Sequence, residues 1–385
     1  MTEDRISLSP SLRWRRWRRS AGQLAVVGLA LALIVLLGLT VRNGFAARGV
    51  SFSFGFLGTP AGFEISEGLV PTAQGLVKFA SDMTNAQALM AGLGNTLKVA
   101  IVAILLSTLI GVTLGVCRLS TNWLIRKLAF WITEFLRNTP LLIQLTFWYI
   151  AVVLQLPPVR QAPEFLGTII SQQGIWFPAP VTTGGAGLAV FLLALVTGAG
   201  ALLAAFRARR AWLAGAAVLL LALAFAAGFR MSLSLPQVNR FRADGGFAVS
   251  PEYAALTLAI TINSAAYLGE IVRGAIEALP RGQWEAADAI GLSRHSVLRD
   301  VVLPQVFRVV MPSFGNQYIS LAKNTSLGIA IGYPDLFNVY GTVSNQTGRS
   351  LEGVVIAMAI YLILSWVISA AVNLINSRMK IPGVR

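Results

Sequence analysis

One polar segment, residues 280–304, interrupts the apolar sequence and has the residue types of a surface that a second protein contacts. Glu285 and the alanines after it are good helix formers, and their small side chains make a slim helix that a groove in another protein could enclose. Gly291 can adopt the left-handed backbone conformation that ends a helix, and Pro304 suits the first turn of the next helix. The spacing therefore predicts a short exposed helix joined by a defined elbow to a longer one.

A second group of polar residues lies inside the otherwise apolar run 306–332. An ionisable side chain at such a place is costly to bury and usually faces a cavity or a charged partner. One hypothesis is that these residues line or support a polar path. The alternative is that Lys323 pairs structurally with a carboxylate such as Glu270, or lies near the membrane interface. The group consists of Asn316, Lys323, Asn324 and Thr325.

Two acid–base pairs have the spacing of neighbours on one helix face. Glu134 precedes Arg137 by three residues, and Glu270 precedes Arg273 by three residues. We interpret both as structural pairs, with gating as a further hypothesis. The sequence has no metal-ligand cluster, no Ser–His arrangement and no cofactor loop, and the single histidine, His295, falls in the polar segment. These observations argue against an enzyme.

The composition is that of an integral membrane protein. The chain of 385 residues is 55% hydrophobic and 12% charged, and its mean hydropathy is +0.69. A soluble domain could not cover so much apolar surface. The formal charge of +15 does not indicate nucleic-acid binding, because the cations lie between apolar runs rather than on one soluble face. The polar segment 280–304 must then lie at the membrane surface.

The apolar runs predict an all-α protein with about eight transmembrane helices. Counted with the N-terminus inside, 21 of the 31 Lys and Arg residues fall on inner segments and eight on outer segments. This asymmetry predicts that both termini are cytoplasmic. The predicted spans cover residues 21–41, 93–117, 138–156, 187–206, 211–229, 253–276, 306–332 and 354–376.

The spans define the predicted domain organisation. Residues 1–20 form a basic cytoplasmic tail, and 21–41 form an uncleaved first transmembrane helix. Residues 42–92 form a periplasmic loop, in which the alternating segment 51–54 could be a strand or an interfacial loop, and we favour a loop with an amphipathic elbow. The remainder, 93–385, is a transport domain into which the aliphatic hairpin 187–229 is inserted, outside the working core.

The polar segment resembles the signature loop of the permease subunits of bacterial ATP-binding-cassette importers. In that family Glu-Ala-Ala is followed after three residues by Gly and, nine residues later, by an aliphatic residue, any residue, Leu and Pro. The resemblance implies that the loop docks into a cleft of the nucleotide-binding subunit and couples ATP hydrolysis to transport. The matching residues here are Glu285, Ala286, Ala287, Gly291, Val301, Leu303 and Pro304.

The resemblance extends over about 93–156 and 253–376. It implies a five-helix permease core of the polar amino-acid branch. The additional first helix, the long outer loop and the inserted hairpin are similar to the larger permease of the general L-amino-acid transport system. The segments that carry these matches are residues 93–97, 134–144, 267–274 and 323–327.

The resemblance also implies partners that this chain does not supply. The sequence contains no Gly-Lys dipeptide and hence no phosphate-binding loop, so ATP and Mg²⁺ would be bound by a dimer of separate ATPase subunits. A second homologous permease subunit, or another copy of this chain, would complete the path. A periplasmic amino-acid-binding protein would deliver the substrate to the bacterial inner membrane. The alternative function is an ATP-independent secondary transporter or channel, against which the scarcity of acidic residues inside the spans argues.

Overall fold

The structure is a computed structural model that describes residues 10–47, 52–73, 75–183, 218–223, 226, 230–239 and 242–378. The predicted hairpin 187–229 lies almost entirely outside the described residues. So do residues 1–9 of the predicted basic tail and residues 379–385.

The described chain is mainly helical, as predicted. Four stretches are long and apolar enough to cross a bilayer, namely Ala21–Thr40, Asn85–Cys117, Pro251–Glu277 and Ser350–Arg378. The helices are α1 (Pro10–Ala47), α2 (Asn85–Cys117), α3 (Trp123–Asn138), α4 (Leu141–Thr146), α5 (Pro251–Glu277), α6 (Arg281–Ala289), α7 (Leu303–Asn324), α8 (Leu336–Thr347) and α9 (Ser350–Arg378).

The predicted span 138–156 is the second part of a broken helical segment. Helix α3 ends at Asn138, and α4 continues as a π-helix, Phe147–Val152, and a 3-10 turn, Val153–Gln155. The break arises because proline disfavours helical conformation in the residue before it, and Thr139 is extended, with φ −101° and ψ 127°. A helical sequence pattern alone does not show where such a break divides the apolar run between two helices.

The predicted span 306–332 is also interrupted. Helix α7 ends at Asn324, and the chain continues as a 3-10 helix, Thr325–Ile331, that Gly332 terminates with φ +76°. The break falls at the polar residues that the sequence places inside this run. Broken helices are common where membrane proteins build transport sites.

Helices α2 and α5 pack closely through glycines. A Cβ atom added at Gly115 would lie 2.6 Å from the carbonyl oxygen of Gly269, and one added at Gly111 would lie 2.9 Å from that of Ala265. Small residues let helix backbones approach in membranes, where close packing replaces hydrophobic driving force. The buried side chains around this contact include Val99, Ala103, Leu256, Ile260 and Leu268.

The segments before α2 and between α4 and α5 contain short antiparallel strands that the sequence did not predict. They form a hairpin, β1 with β2, a four-stranded sheet in the order β10-β5-β4-β3, and the pairs β6–β7 and β8–β9. The strands are β1 (Leu69–Thr72), β2 (Gly75–Lys78), β3 (Glu164–Phe165), β4 (Thr168–Ser171), β5 (Gly174–Phe177), β6 (Ala179–Thr183), β7 (Arg230–Ser234), β8 (Gln237–Val238), β9 (Ala243–Asp244) and β10 (Phe247–Val249).

The segment between α1 and α2 is shorter than the predicted loop 42–92. Helix α1 extends to Ala47 and α2 begins at Asn85, where Thr84 and Gln87 form a capping box. Glu67 ties the loop to the core, since its carboxylate accepts a bond from the Ser250 hydroxyl at 2.6 Å and contacts Lys98 Nζ at 3.0 Å.

Candidate functional site

The predicted docking loop has the local structure that its sequence indicates. Helix α6 starts after Pro280 and ends at Ala289, and Gly291 is left-handed with φ +72°. The side chains of Glu285 and Ala286 are exposed, whereas Ala287 is 4% exposed and packs in a cluster with Val297. One face of α6 is therefore free, and the other is joined to the helices of the core.

The elbow lies around Gly291, and Pro304 occupies the first turn of α7. The chain is already helical at Arg294–Ser296 and Val297–Val302, so Pro304 lies in the first turn of α7 without starting a new direction there. The preceding segment, Val297–Val302, is a π-helix. Leu303 is half-buried and Pro304 is exposed.

The two predicted acid–base pairs belong to a single cluster. Glu270 contacts Arg273 at 2.5 Å and Arg137 at 3.8 Å, and Glu134 lies 3.6 Å from Arg137. The connecting cation is Arg118, which follows α2 directly, is 8% exposed, contacts Glu270 and lies 3.7 Å from Glu134. The cluster joins the ends of α2 and α3 to α5.

Sequence reasoning missed Arg118 because it forms no helix-spaced pair with either glutamate. The separation along the chain between Arg118 and Glu270 is 152 residues. Only the packing of α2 against α5 brings their side chains together. A clue was available in the position of Arg118 at the end of an apolar run, where a cation can bond to the last carbonyls of a helix.

A polar cavity of about 510 Å³ lies between the α3–α4 break, the middle of α5 and the end of α7. From α7 it is lined by Gln317, Ser320 and Asn324, which share one face because they are three and four residues apart. The middle of α5 contributes Asn263 and Tyr267. The cavity thus lies at about half the length of a spanning helix.

The break before Pro140 positions this cavity. Two carbonyl oxygens freed at the end of α3 are bonded by one side chain, since Gln144 Nε2 donates to Leu136 at 2.8 Å and to Thr139 at 2.9 Å. Asn263 Nδ2 also donates to the Leu136 carbonyl, at 3.4 Å. These bonds hold Arg137, Asn138 and Thr139 at the cavity wall.

The predicted path residues are not all in one place. Asn324 lines the polar cavity, whereas Thr325 is fully buried and donates to the Ala322 carbonyl at 2.9 Å. Asn316 is exposed on α7. Lys323 is exposed beside a separate, mainly apolar groove. The alternative hypothesis paired Lys323 with Glu270, but the Glu270 carboxylate is bonded to arginines. Within the described residues, Lys323 forms no ion pair.

Comparison with known proteins identifies the family. Residues 103–381 match the family described as binding-protein-dependent transport system inner membrane component. The chain is 38% identical over 375 residues to YhdX of Escherichia coli strain K12, which covers 93% of each chain.

Two further relatives also match along nearly their whole length. General L-amino acid transport system permease protein AapQ of Rhizobium johnstonii is 36% identical over 370 residues, with 91% of each chain covered. Glutamate/glutamine/aspartate/asparagine transport system permease protein BztB of Rhodobacter capsulatus is 34% identical over 416 residues, covering 95% of this chain and 94% of that one. This chain therefore belongs to the family of inner membrane components of binding-protein-dependent transport systems.

Proposed function

We propose that this chain is the permease subunit of an ATP-driven importer that moves polar or general L-amino acids across the bacterial inner membrane. The observation that carries the proposal is α6, an exposed helix with one face packed on the core and a left-handed Gly291 at its end. The names of the relatives support amino acids as the substrate class. The polar cavity supports a path for a small hydrophilic solute.

In this proposal the chain does not hydrolyse ATP itself. A dimer of ATPase subunits binds ATP and Mg²⁺ and contacts the loop through Glu285, Ala286 and Gly291. A second permease, related to this chain or identical with it, forms the other half of the path. A periplasmic binding protein delivers the amino acid, and both termini of this chain face the cytoplasm.

The contacts of α6 suggest how movement is transmitted. Ala287 packs in the same cluster as Val302, Val306 and Phe314, which lie before and along α7, and Leu268 of α5 belongs to that cluster too. Displacement of α6 by the ATPase would therefore shift α5 and α7 together. Because both helices line the cavity, the shift would change access to it.

Reconstitution tests the proposal. The chain is incorporated into proteoliposomes with its ATPase, its second permease and its binding protein, and uptake of L-glutamate, L-glutamine and L-alanine is measured with ATP or a non-hydrolysable analogue. We expect uptake only with ATP and binding protein. Uptake that proceeds equally without ATP, driven by a proton or sodium gradient, would establish the secondary-transporter alternative instead.

A further inference from the structure

A mainly apolar cavity of about 290 Å³ lies between α6 and the ends of α2 and α5. Its volume equals that of about ten water molecules in the liquid, but its apolar walls offer water few hydrogen-bond partners. A narrow hydrocarbon chain would fill such a space more favourably than water does. The apolar residues that line the cavity are Val116, Leu119, Ile125, Ile276, Trp284 and Leu298.

The apolar cavity is continuous with a surface of α3 that faces the lipid. The spanning helix α2 ends at Cys117, which lines the cavity, so the cavity lies where helices leave the membrane. Ile125 lines it too and is 44% exposed, and Trp123 and Leu128 on the same helix are exposed as well. Tryptophan is enriched at the boundary between membrane and water. A lipid acyl chain can therefore reach the cavity along α3.

Basic side chains lie at the rim of the apolar cavity. Arg126 Nη1 donates to the backbone carbonyl of Ser120 at 2.8 Å, and Ser120 lines the cavity. Arg126 and its neighbour Lys127 are exposed, and neither forms an ion pair with a carboxylate in the part of the chain that the structure describes. Basic side chains near the ends of spanning helices keep their charge at the level of the lipid headgroups. The rim thus offers positive charge to a phosphate, and the walls offer apolar surface to a hydrocarbon chain.

We propose that the apolar cavity binds an anionic phospholipid from the leaflet on the α6 side of the membrane. One acyl chain lies between α6 and the ends of α2 and α5, and the phosphate group contacts Arg126 and Lys127. Because Trp284 of α6 and Ile276 of α5 both line the cavity, the acyl chain completes the packing of α6 on the core. This inference goes beyond the proposed function and does not depend on which solute is transported.

The single cysteine of the chain can report occupancy, since Cys117 lines the cavity and is partly exposed. The chain, purified with the subunits that accompany it, is placed in nanodiscs of phosphatidylcholine or of an equal mixture of phosphatidylcholine and phosphatidylglycerol. Mass spectrometry follows the rate at which N-ethylmaleimide modifies Cys117. One basic side chain near an anionic lipid surface strengthens binding by about fivefold. We therefore expect phosphatidylglycerol to slow the modification by about fivefold or more.

The surface charge of the membrane needs a separate measurement. A negative surface potential slows the reaction of any nearby cysteine, because the thiolate is the reactive form. Ser377→Cys in a Cys117→Ser background measures this general effect, since Ser377 is exposed near the end of α9 and does not line the cavity. The slowing at Cys117 is expressed relative to the slowing at this second position.

Substitution of Arg126 tests the contact with the headgroup. Arg126→Gln should remove most of the additional protection of Cys117 by phosphatidylglycerol, and Arg126→Lys, which keeps the charge, should retain part of it. Arg378→Gln is the matched control, because Arg378 is exposed in the last turn of α9 and does not line the cavity. It should leave the protection unchanged.

Three results would overturn the assignment: equal slowing at Cys117 and at the second cysteine position, the same protection in Arg126→Gln as in the wild type, or an equal loss in Arg378→Gln. If Cys117 reacts in neither membrane, native mass spectrometry decides by counting the phosphatidylglycerol molecules that the purified complex retains. Fewer molecules on Arg126→Gln than on the wild type would support the site, and equal numbers would overturn it.

Discussion

At the scale of single residues, Asp335 shows how burial and hydrogen bonds change the acidity of a polar group. Asp335 lies in the link between the 3-10 helix at Thr325–Ile331 and α8, and its side chain is inaccessible to solvent. It accepts a hydrogen bond from the backbone N–H of Asn338 at 2.9 Å and from the Tyr361 hydroxyl at 3.2 Å. These two bonds cap α8 and join it to α9.

The buried carboxyl group of Asp335 should make the free energy of unfolding of the protein depend on pH. Burial raises the pKa of Asp335 from 3.8 to about 6, so the folded state binds this proton more tightly than the unfolded state does. The contribution of Asp335 to the free energy of unfolding is therefore greatest near pH 4, falls as the pH rises through 6 and is smallest above pH 6. The contributions at the two ends of this interval differ by on the order of 3 kcal/mol.

Thermal unfolding of the detergent-solubilised protein at pH 4.5 and 7.5 measures this effect. Asp335→Asn keeps an oxygen that can cap α8 and does not titrate, so it should flatten the pH dependence in this interval and stabilise the protein at pH 7.5. A variant with the same pH dependence as the wild type would show that Asp335 has an ordinary pKa.

At the scale of helices, the contacts of glycines decide which pairs can approach. Gly115 of α2 faces the Gly269 carbonyl of α5 at a distance that excludes a side chain, whereas a Cβ at Gly274 of α5 would meet no atom within 4 Å. Both glycines are helical, so both substitutions to alanine gain about the same helix propensity, close to 1 kcal/mol. Only the packing differs between the two positions.

We therefore expect opposite effects from two identical changes. Gly115→Ala should destabilise the protein, because the new methyl group meets backbone that cannot move unless α2 and α5 separate. Gly274→Ala should be neutral or slightly stabilising. Thermal unfolding in detergent compares the two variants, and similar melting temperatures would show that α2 and α5 are not packed at this distance.

The elbow after α6 leads to a prediction about substitutions of Gly291. A leucine in the left-handed backbone conformation costs about 1–2 kcal/mol of conformational free energy, whereas asparagine tolerates this conformation. Nothing lies within 4 Å of a Cβ at Gly291, so the backbone angle rather than a clash determines the effect. Gly291→Leu should fold and insert into the membrane normally but uncouple ATP hydrolysis from uptake.

Gly291→Asn is the control for that experiment, and it should retain coupling. The measurement is the ratio of amino acid taken up to ATP hydrolysed in proteoliposomes. Equal ratios for wild type and Gly291→Leu would contradict a role of the elbow in coupling.

At the scale of the whole molecule, the described β-structure and α6 lie at opposite ends of the spanning helices. The four-stranded sheet adjoins the start of α5 through β10, and α6 follows the end of α5. This arrangement agrees with the charge asymmetry of the sequence, which predicts that α6 faces the cytoplasm. The membrane orientation can be tested with a single reactive thiol.

Cysteine labelling provides that test. In a Cys117→Ser background, Leu166→Cys lies at the turn between β3 and β4, where Leu166 is 83% exposed, and Asp288→Cys lies on the exposed face of α6. A membrane-impermeant maleimide added to spheroplasts should label the first variant and not the second. After permeabilisation both should react, and the reverse pattern in intact spheroplasts would invert the topology.

Much of the local structure followed from the sequence. The short helix α6 and its end at Gly291 follow from the sequence because Glu, Ala, Gly and Pro have conformational preferences that depend on few neighbours. The long apolar runs that form α2, α5 and α9 could also be recognised, since hydropathy and length suffice to identify a spanning helix. The exact breaks were less accessible, because polar residues and proline also occur inside continuous helices, as Pro312 does in α7. The polar residues around Thr139 and Asn324 therefore do not show by themselves where a helix ends.

The amino-acid sequence by itself determined the class of protein, the family resemblance and the elbow at Gly291, since each depends on composition or on residues close together along the chain. Tertiary structure alone brought Arg118 to Glu270 and placed Arg137 beside Asn263 and Asn324 around one cavity. Contacts of this kind join residues more than a hundred positions apart and depend on how whole helices pack, which no local pattern of side chains specifies.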